Sequence, residues 1–486
     1  MGQYSRRLLE HLAWQRRREQ EWRLIRQIAD AVKNPKHVEL DPLLAIIPDP
    51  QQLEKTVRRI FPKAQTTWRK YHWWQEPDGA LRKIDSAYIR TKLEEARAKY
   101  RAATITEALR ILGASDSERS LYSIWTRSRG TVGAKTRTLK RFCDRLGIPY
   151  HELEILAVIK DRKFPIDLHA PPLVKLYTHM LNEGSIDYTP QRACARYVNK
   201  DPVLARHVAD LVAKAGGRYT IPPPMKEAIE LRTDPTTARA LAAAGLKPGT
   251  KTITNPPLHP AILRDKQLAK YHIHMTIIEE GHTSLTINRH NKLELHIGLG
   301  RSIDITNKLP PQTLKQLQQH PGQSFQPKKV LTPDVYYGIV IHPEAPPIAL
   351  RQEYDIVIKT LKQINSAIEI PPINCSYIHV SQEGRITAHY RFSIRGREAA
   401  QAFYQAFFAD YNTGTWKEAK LHRQIELLNQ YQDVKLTPAQ QREVKREMNT
   451  WHRISEQWII EKAKKLLPEA EWINKPNKIR KLQGKQ

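Results

Sequence analysis

Two stretches decide how this chain is read. One is Pro172-Leu173-Val174-Lys175-Leu176-Tyr177-Thr178-His179-Met180-Leu181-Asn182-Glu183-Gly184-Ser185-Ile186; the other is Gln267-Leu268-Ala269-Lys270-Tyr271-His272-Ile273-His274-Met275-Thr276-Ile277-Ile278-Glu279-Glu280-Gly281-His282-Thr283. Both are apolar segments of helical length that end in Glu-Gly and lead into a β-like run. The glycine is expected to be a left-handed cap that lets the chain leave the helix, with the carboxylate at the last exposed position.

The likeness continues downstream in matching order. Asn199-Lys200-Asp201-Pro202 opens a helix from Val203 to Lys214, and Asn307-Lys308-Leu309-Pro310 opens one from Gln312. Ala228 to Arg232 precedes a helix from Thr237 to Ala244 and reaches Gly249-Thr250-Lys251; Tyr390 to Ile394 precedes a helix from Glu398 to Phe408 and reaches Gly414-Thr415-Trp416-Lys417. A duplicated α+β unit is predicted, helix, strands, helix, strands, helix in each copy, over residues 165–260 and 261–425. The second copy is longer and carries an insertion.

This arrangement resembles the LAGLIDADG homing-endonuclease family in its single-chain form. The resemblance implies two fused αββαββα repeats forming a saddle on DNA, with the motif helices side by side and their terminal acids binding divalent metal. It maps those acids onto Glu183 and Glu280, and the basic residues near the scissile phosphates onto Lys251 and Lys417. It implies Mg²⁺ as cofactor if the protein cleaves, and a monomer with internal pseudo-two-fold symmetry. Hard cations suit such chemistry because they activate water and stabilise the leaving oxygen, and carboxylates are the ligands they prefer. The pattern departs from the family at Thr178 and Met275, where glycine or alanine usually lets the helices approach. Two functions are therefore carried forward: sequence-specific DNA binding with metal-dependent phosphodiester cleavage, and a catalytically inactive DNA- or RNA-binding factor such as a transcription regulator, a maturase or a ribonucleoprotein component.

Charge points the same way. The 486 residues hold 79 Lys+Arg against 50 Asp+Glu, a net +29, and such an excess favours a polyanionic partner. Nucleic acid is expected, DNA ahead of RNA. No apolar run reaches the roughly twenty residues that span a bilayer, and no segment of signal-peptide type is seen near the start, so a cytoplasmic address and no membrane partner are expected. Cys143, Cys194 and Cys375 form no CxxC pair, which excludes a cysteine-based zinc module.

Residues 1–102 read as a helical basic and aromatic arm, with Leu8, Leu12, Trp22, Ile25, Ala29 and Val32 on one helix face. The cluster Trp68, Tyr71, Trp73 and Trp74, interleaved with Arg69, Lys70 and His72, either stacks bases or closes a small core. The preceding region is expected to be all-helical. Within residues 103–160, helices over 117–127 and 134–146 joined by a turn at Ser128 to Gly133 make a helix-turn-helix candidate. Its candidate nucleic-acid contacts are Arg127, Arg129, Lys135, Arg137, Lys140 and Arg141, with Lys135 to Thr138 free at the helix start. Residues 437–486 are expected to form a long amphipathic helix and a cationic tail.

Overall fold

The computed structural model describes residues 19, 21–189, 192–222, 228–432, 434–450 and 456–468. The chain divides into two compact units, Met1–His169 and Ala170–Gln486.

The first unit is not all-helical. Strand β1 (His37–Glu39) runs parallel to β2 (Gln65–Thr67), β3 (Lys70–Tyr71) pairs with β6 (Ile166–Asp167), and β4 (Leu81–Asp85) pairs antiparallel with β5 (Thr131–Lys135). The β4–β5 ladder also joins the segments on either side of residue 102, so the expected boundary there does not separate two units. The physical reason is a period of two: Arg82 and Ile84 are buried on β4, Val132 and Ala134 on β5, and their neighbours face outward. Gly130 makes the turn at φ +85°, whereas Gly133 lies in the strand.

This corrects the helix-turn-helix reading. Helix Asp116–Arg127, with a Ser115–Glu118 capping box, and helix Thr136–Leu146, ended by Gly147, are both present, but a strand and not a tight turn connects them. At the start of the second helix Lys135 and Arg137 are exposed, but Thr136 is not free. Thr136 is fully buried and its hydroxyl donates to the Ala80 carbonyl at 3.1 Å. The aromatic cluster closes a core: Tyr71, Trp73 and Trp74 are buried, Trp73 donates its indole N–H to the Tyr150 carbonyl, and His72 lies between Asp41 and Glu154.

The second unit is built on two central helices in contact, Pro171–Asn182 and Lys266–Glu279. After the first come β7 (Gly184–Tyr188), β8 (Ala193–Asn199), helix Pro202–Lys214, β9 (Tyr219–Thr220), β10 (Ile229–Thr233) and helix Pro235–Ala243. After the second come β11 (His282–Ile287), β12 (Leu293–Asp304), an insertion containing β13 (Ser324–Phe325) and helix Ile348–Ile364, then β14 (Asn374–Val380), β15 (Ile386–Arg395) and helix Arg397–Phe407. The sheets are ordered β7-β8-β10-β9 and β11-β12-β15-β14-β13. Ranked by position within each half, the strands run first, second, fourth, third in both, and the insertion adds β13 at one edge. The mixed α+β class follows directly.

Each core face is apolar for the same reason. Leu295, Ile297 and Leu299 on β12 and Ala388, Phe392 and Ile394 on β15 are buried at alternate positions. At the C-terminal end, helix Glu456–Leu466 packs against Pro202–Lys214, with Ala463 and Leu467 joining Ala205, Ile221 and Ile229. Leu8, Leu12, Trp451, Ile454 and the basic tail from Asn474 lie outside the described residues. Among those described, no helix is long and apolar enough to cross a membrane.

Candidate nucleic-acid interface

Gly184 and Gly281 follow the two central helices for a steric reason. Neither has the positive φ expected of a left-handed cap. A Cβ on Gly184 would lie 2.6 Å from the Met180 Cα, and one on Gly281 2.6 Å from the Ile277 Cα. The strand thus turns back against the last turn of its own helix, where only glycine fits.

The seam between the helices is polar. Thr178 and His272 meet at 3.0 Å, Asn182 donates to Glu279 at 2.7 Å, and His179 Nδ1 lies 2.6 Å from Glu279 Oε1. Tyr197 donates to the same oxygen at 2.6 Å. Since a carboxylate only accepts, His179 donates through Nδ1, while its Nε2 lies 2.7 Å from the Tyr271 hydroxyl, which also meets His207 Nε2 at 2.7 Å. Burial, then the neighbouring His179, pushes His207 down to about 3, so it remains neutral beside Tyr271. Beside the seam, Arg301 of β12 forks onto Glu353 of the insertion helix and reaches Asn182 Oδ1 at 2.8 Å. Thr178 and the buried Met275 therefore sit within a packed pair of helices, and His272 and His274 act in packing. His274 meets the Phe407 carbonyl at 3.0 Å.

At the helix ends the four residues singled out by sequence come together. Lys251 donates to the Asn182 carbonyl, and Lys417 donates to the Glu279 carbonyl at 2.8 Å. Each lysine thereby satisfies a terminal carbonyl immediately before a candidate acid, in equivalent positions of the two halves. Burial, then the charges of Glu280 and Glu279, push Glu183 up to about 7 against the pull of both lysines. Burial lowers Lys251 to about 8, opposed most strongly by Glu280, and also lowers Lys417, opposed most strongly by Glu183. The acids and lysines form one crossed charge cluster. Glu183 and Lys417 also line a groove with Asn199, Asp201 and Trp416, and the Trp416 amide donates to Asp201 at 3.2 Å.

A prediction follows from Glu183. Its folded value lies above the ordinary 4.5, so between about pH 4.5 and 7 the native state holds a proton that the unfolded chain has lost, and ionisation costs stability. Glu183→Gln should raise the melting temperature near pH 8, by an effect of about 1–2 kcal/mol once solvent screening is allowed for. The gain should fade as pH drops toward 4.5. Thermal melts across pH check this.

Among the described residues, no group of three or more His, Cys, Asp or Glu side chains could hold a metal ion. The donor set at the helix ends is two carboxylates and two ammoniums. That set fits Mg²⁺ only in its usual substrate-assisted form, one or two carboxylates completed by water and phosphate oxygens.

The sheets offer a second feature. Opposite its apolar face, the larger sheet presents His282, Ser284 and Thr286 on β11, Glu294, His296, Gly298, Gly300, Ser302 and Asp304 on β12, and Thr387, His389, Arg391, Ser393 and Arg395 on β15; Glu294 lies 3.7 Å from His296 and Asp304 3.5 Å from Arg385. Burial and the neighbouring Arg391 keep His389 below its ordinary value; burial and the charges of Lys420, Lys417 and Arg391 do the same for His282. On the smaller sheet, exposed Arg196 pairs with Asp187, and Arg232 pairs with Glu230 at 2.6 Å. In the first unit, Arg127, Arg129, Lys135, Arg137 and Arg141 are exposed, while Lys140 lies 3.3 Å from Asp78 and Arg141 3.8 Å from Glu118.

No protein-family model matches this chain, and no curated protein matches it. Among solved structures it is similar to the crystal structure of full-length DUF199/WhiA from Thermatoga maritima, at 10% identity over 63% of this chain and 92% of that one, with a TM-score of 0.25. A similarity at that level carries no argument about fold or activity.

Proposed function

We propose that the C-terminal unit is a LAGLIDADG-like two-repeat saddle that binds nucleic acid as a monomer with an internal pseudo-two-fold axis. The backbone of the nucleic acid crosses the open sheet faces and passes the helix ends at Glu183, Glu280, Lys251 and Lys417. The observation that carries this reading is the open face of β11, β12 and β15. It is polar and rich in hydrogen-bonding side chains, with Arg391 and Arg395 as its exposed cations and Glu294 and Asp304 as its acids, where a sheet covered by another protein layer would be apolar. The net charge of +29 supports it. The exposed arginines of the N-terminal unit add backbone contacts that are insensitive to sequence. Titration of the full-length protein onto labelled duplex DNA, single-stranded DNA and RNA tests the proposal. Binding at low salt is expected, and its absence for all three would refute it.

A second reading, cleavage, is favoured by the crossed charge cluster. Glu183 and Glu280 would hold Mg²⁺, which supplies Lewis-acid chemistry when bound, and Lys251 and Lys417 would stabilise charge developing on phosphate oxygens. Incubation with a randomised duplex library in Mg²⁺ separates the readings. Strand scission lost in Glu183→Gln and Glu280→Gln supports cleavage; binding without scission leaves a binding factor.

A further inference from the structure

The open face of the larger sheet holds one aromatic pair whose geometry differs from everything around it. Tyr377 of β14 and His389 of β15 are directly opposite in register, with ring centroids 4.7 Å apart and planes 15° from parallel. Three local features set this stack. The ladder shifts between Cys375 and Tyr377, and such a bulge re-aims the side chain that follows it. Ser302, opposite His389 on the other side, lies 3.1 Å from its Nδ1 and fixes the ring. Gly300 provides the floor, since a Cβ there would come within 2.8 Å of His389 Nε2.

The stack is open on its outer side. Tyr377 is 39% exposed, unusual for a large ring in the middle of a strand. Strand β13 pairs Ser324 with His379 and Phe325 with Ile378, then ends one residue short of the position opposite Tyr377. The short helix that follows, Pro327–Val330, packs on β14 and carries exposed Lys328 and Lys329. On the same face Arg391 is exposed, opposite Asn374.

We infer that Tyr377, backed by His389, is a stacking platform for an unpaired nucleobase, so that the ligand of the larger sheet includes single-stranded nucleic acid. The inference rests on the nucleic-acid reading and names the ligand class that reading left open. A base inside a duplex has both faces covered, whereas an unstacked base can lie on an aromatic ring while nearby lysines and arginines meet its phosphates. The insertion has a role here, because it supplies β13 and the Lys328–Lys329 flank, neither of which the first half possesses. The imidazole serves as a flat neutral backing, in keeping with its lowered proton affinity beside Arg391.

The experiment uses the full-length protein with a fluorescent single-stranded oligonucleotide containing 2-aminopurine and with its duplex. Tyr377→Ala should weaken single-strand binding about 5- to 100-fold and abolish the 2-aminopurine quenching, with duplex affinity unchanged. Tyr377→Phe should preserve both readouts. Tyr377→Leu keeps apolar bulk without a π face and should behave as the alanine variant does, which guards against misfolding of the latter. Single-strand binding and quenching that survive in Tyr377→Leu would overturn the platform alone. So would a protein that binds only the duplex. Failure of the wild type to bind either probe would overturn the nucleic-acid reading together with the platform.

Discussion

Glu353→Ala should destabilise the C-terminal unit by about 3–5 kcal/mol, because it leaves a buried guanidinium without its counter-ion. Arg301 donates to Glu353 through both Nε and Nη2, at 2.9 and 2.6 Å, and His272 Nε2 lies 2.9 Å from the same carboxylate. Glu353 and His272 are fully buried. Burial alone would raise the Glu353 carboxyl, but Arg301 and His272 overcome it and hold the group below its ordinary range. Its contribution is therefore present above the ordinary carboxylate range and is lost as pH falls through the lowered folded value. Replacing both partners by leucine should recover much of the loss, since desolvation of the ions disappears with them. Chemical denaturation of the wild type, Glu353→Ala and the double variant Arg301→Leu/Glu353→Leu provides the comparison.

The second large effect separates two neighbouring glutamates. Glu279→Ala strands the His179, Tyr197 and Asn182 donors in a buried seam, at about 1–3 kcal/mol for each unsatisfied group and about 3–5 kcal/mol in total after relaxation. Glu280→Ala, one residue later and exposed, should stay within about 0.5 kcal/mol of wild type. If Glu280 meets phosphate or metal, its replacement should instead change binding or cleavage. A melt and a binding isotherm on each variant read the two roles independently. Equal stability losses would mean that the helix register at Glu279-Glu280 is misassigned.

Much of the architecture was legible because helix-ending and strand-forming signals are local. The Glu-Gly terminations, the Asp-Pro and Leu-Pro helix starts and the alternation in β15 all act over a few residues. The insertion was visible only as extra length. Its contribution to the centre, Glu353 reaching Arg301 and His272, depends on contacts between residues 52 and 81 positions apart and leaves no periodic trace. The polar seam was missed for a related reason. Thr178, His179, Asn182, Thr276 and Glu279 interrupt an apolar pattern, and their fitness for burial becomes apparent only when each partner lies across the interface. The β4–β5 ladder was hidden by Gly130 and Gly133, which read alike in sequence although one turns the chain and the other pairs within a strand. The polar face of the larger sheet did leave a signal, the period-two spacing of His296, Gly298, Gly300 and Ser302 and of Thr387, His389, Arg391, Ser393 and Arg395, which the helical motif overshadowed.

The central claim is that nucleic acid lies on the open face of the larger sheet, and the salt dependence of binding tests it most directly. For the full-length protein, log Kd plotted against log salt should be linear. In Arg391→Ala/Arg395→Ala, the slope should fall by about 1.4–1.8, one phosphate contact for each arginine removed. A double variant that binds with unchanged affinity and unchanged slope would contradict the account, because the nucleic acid would then have to lie elsewhere on the molecule.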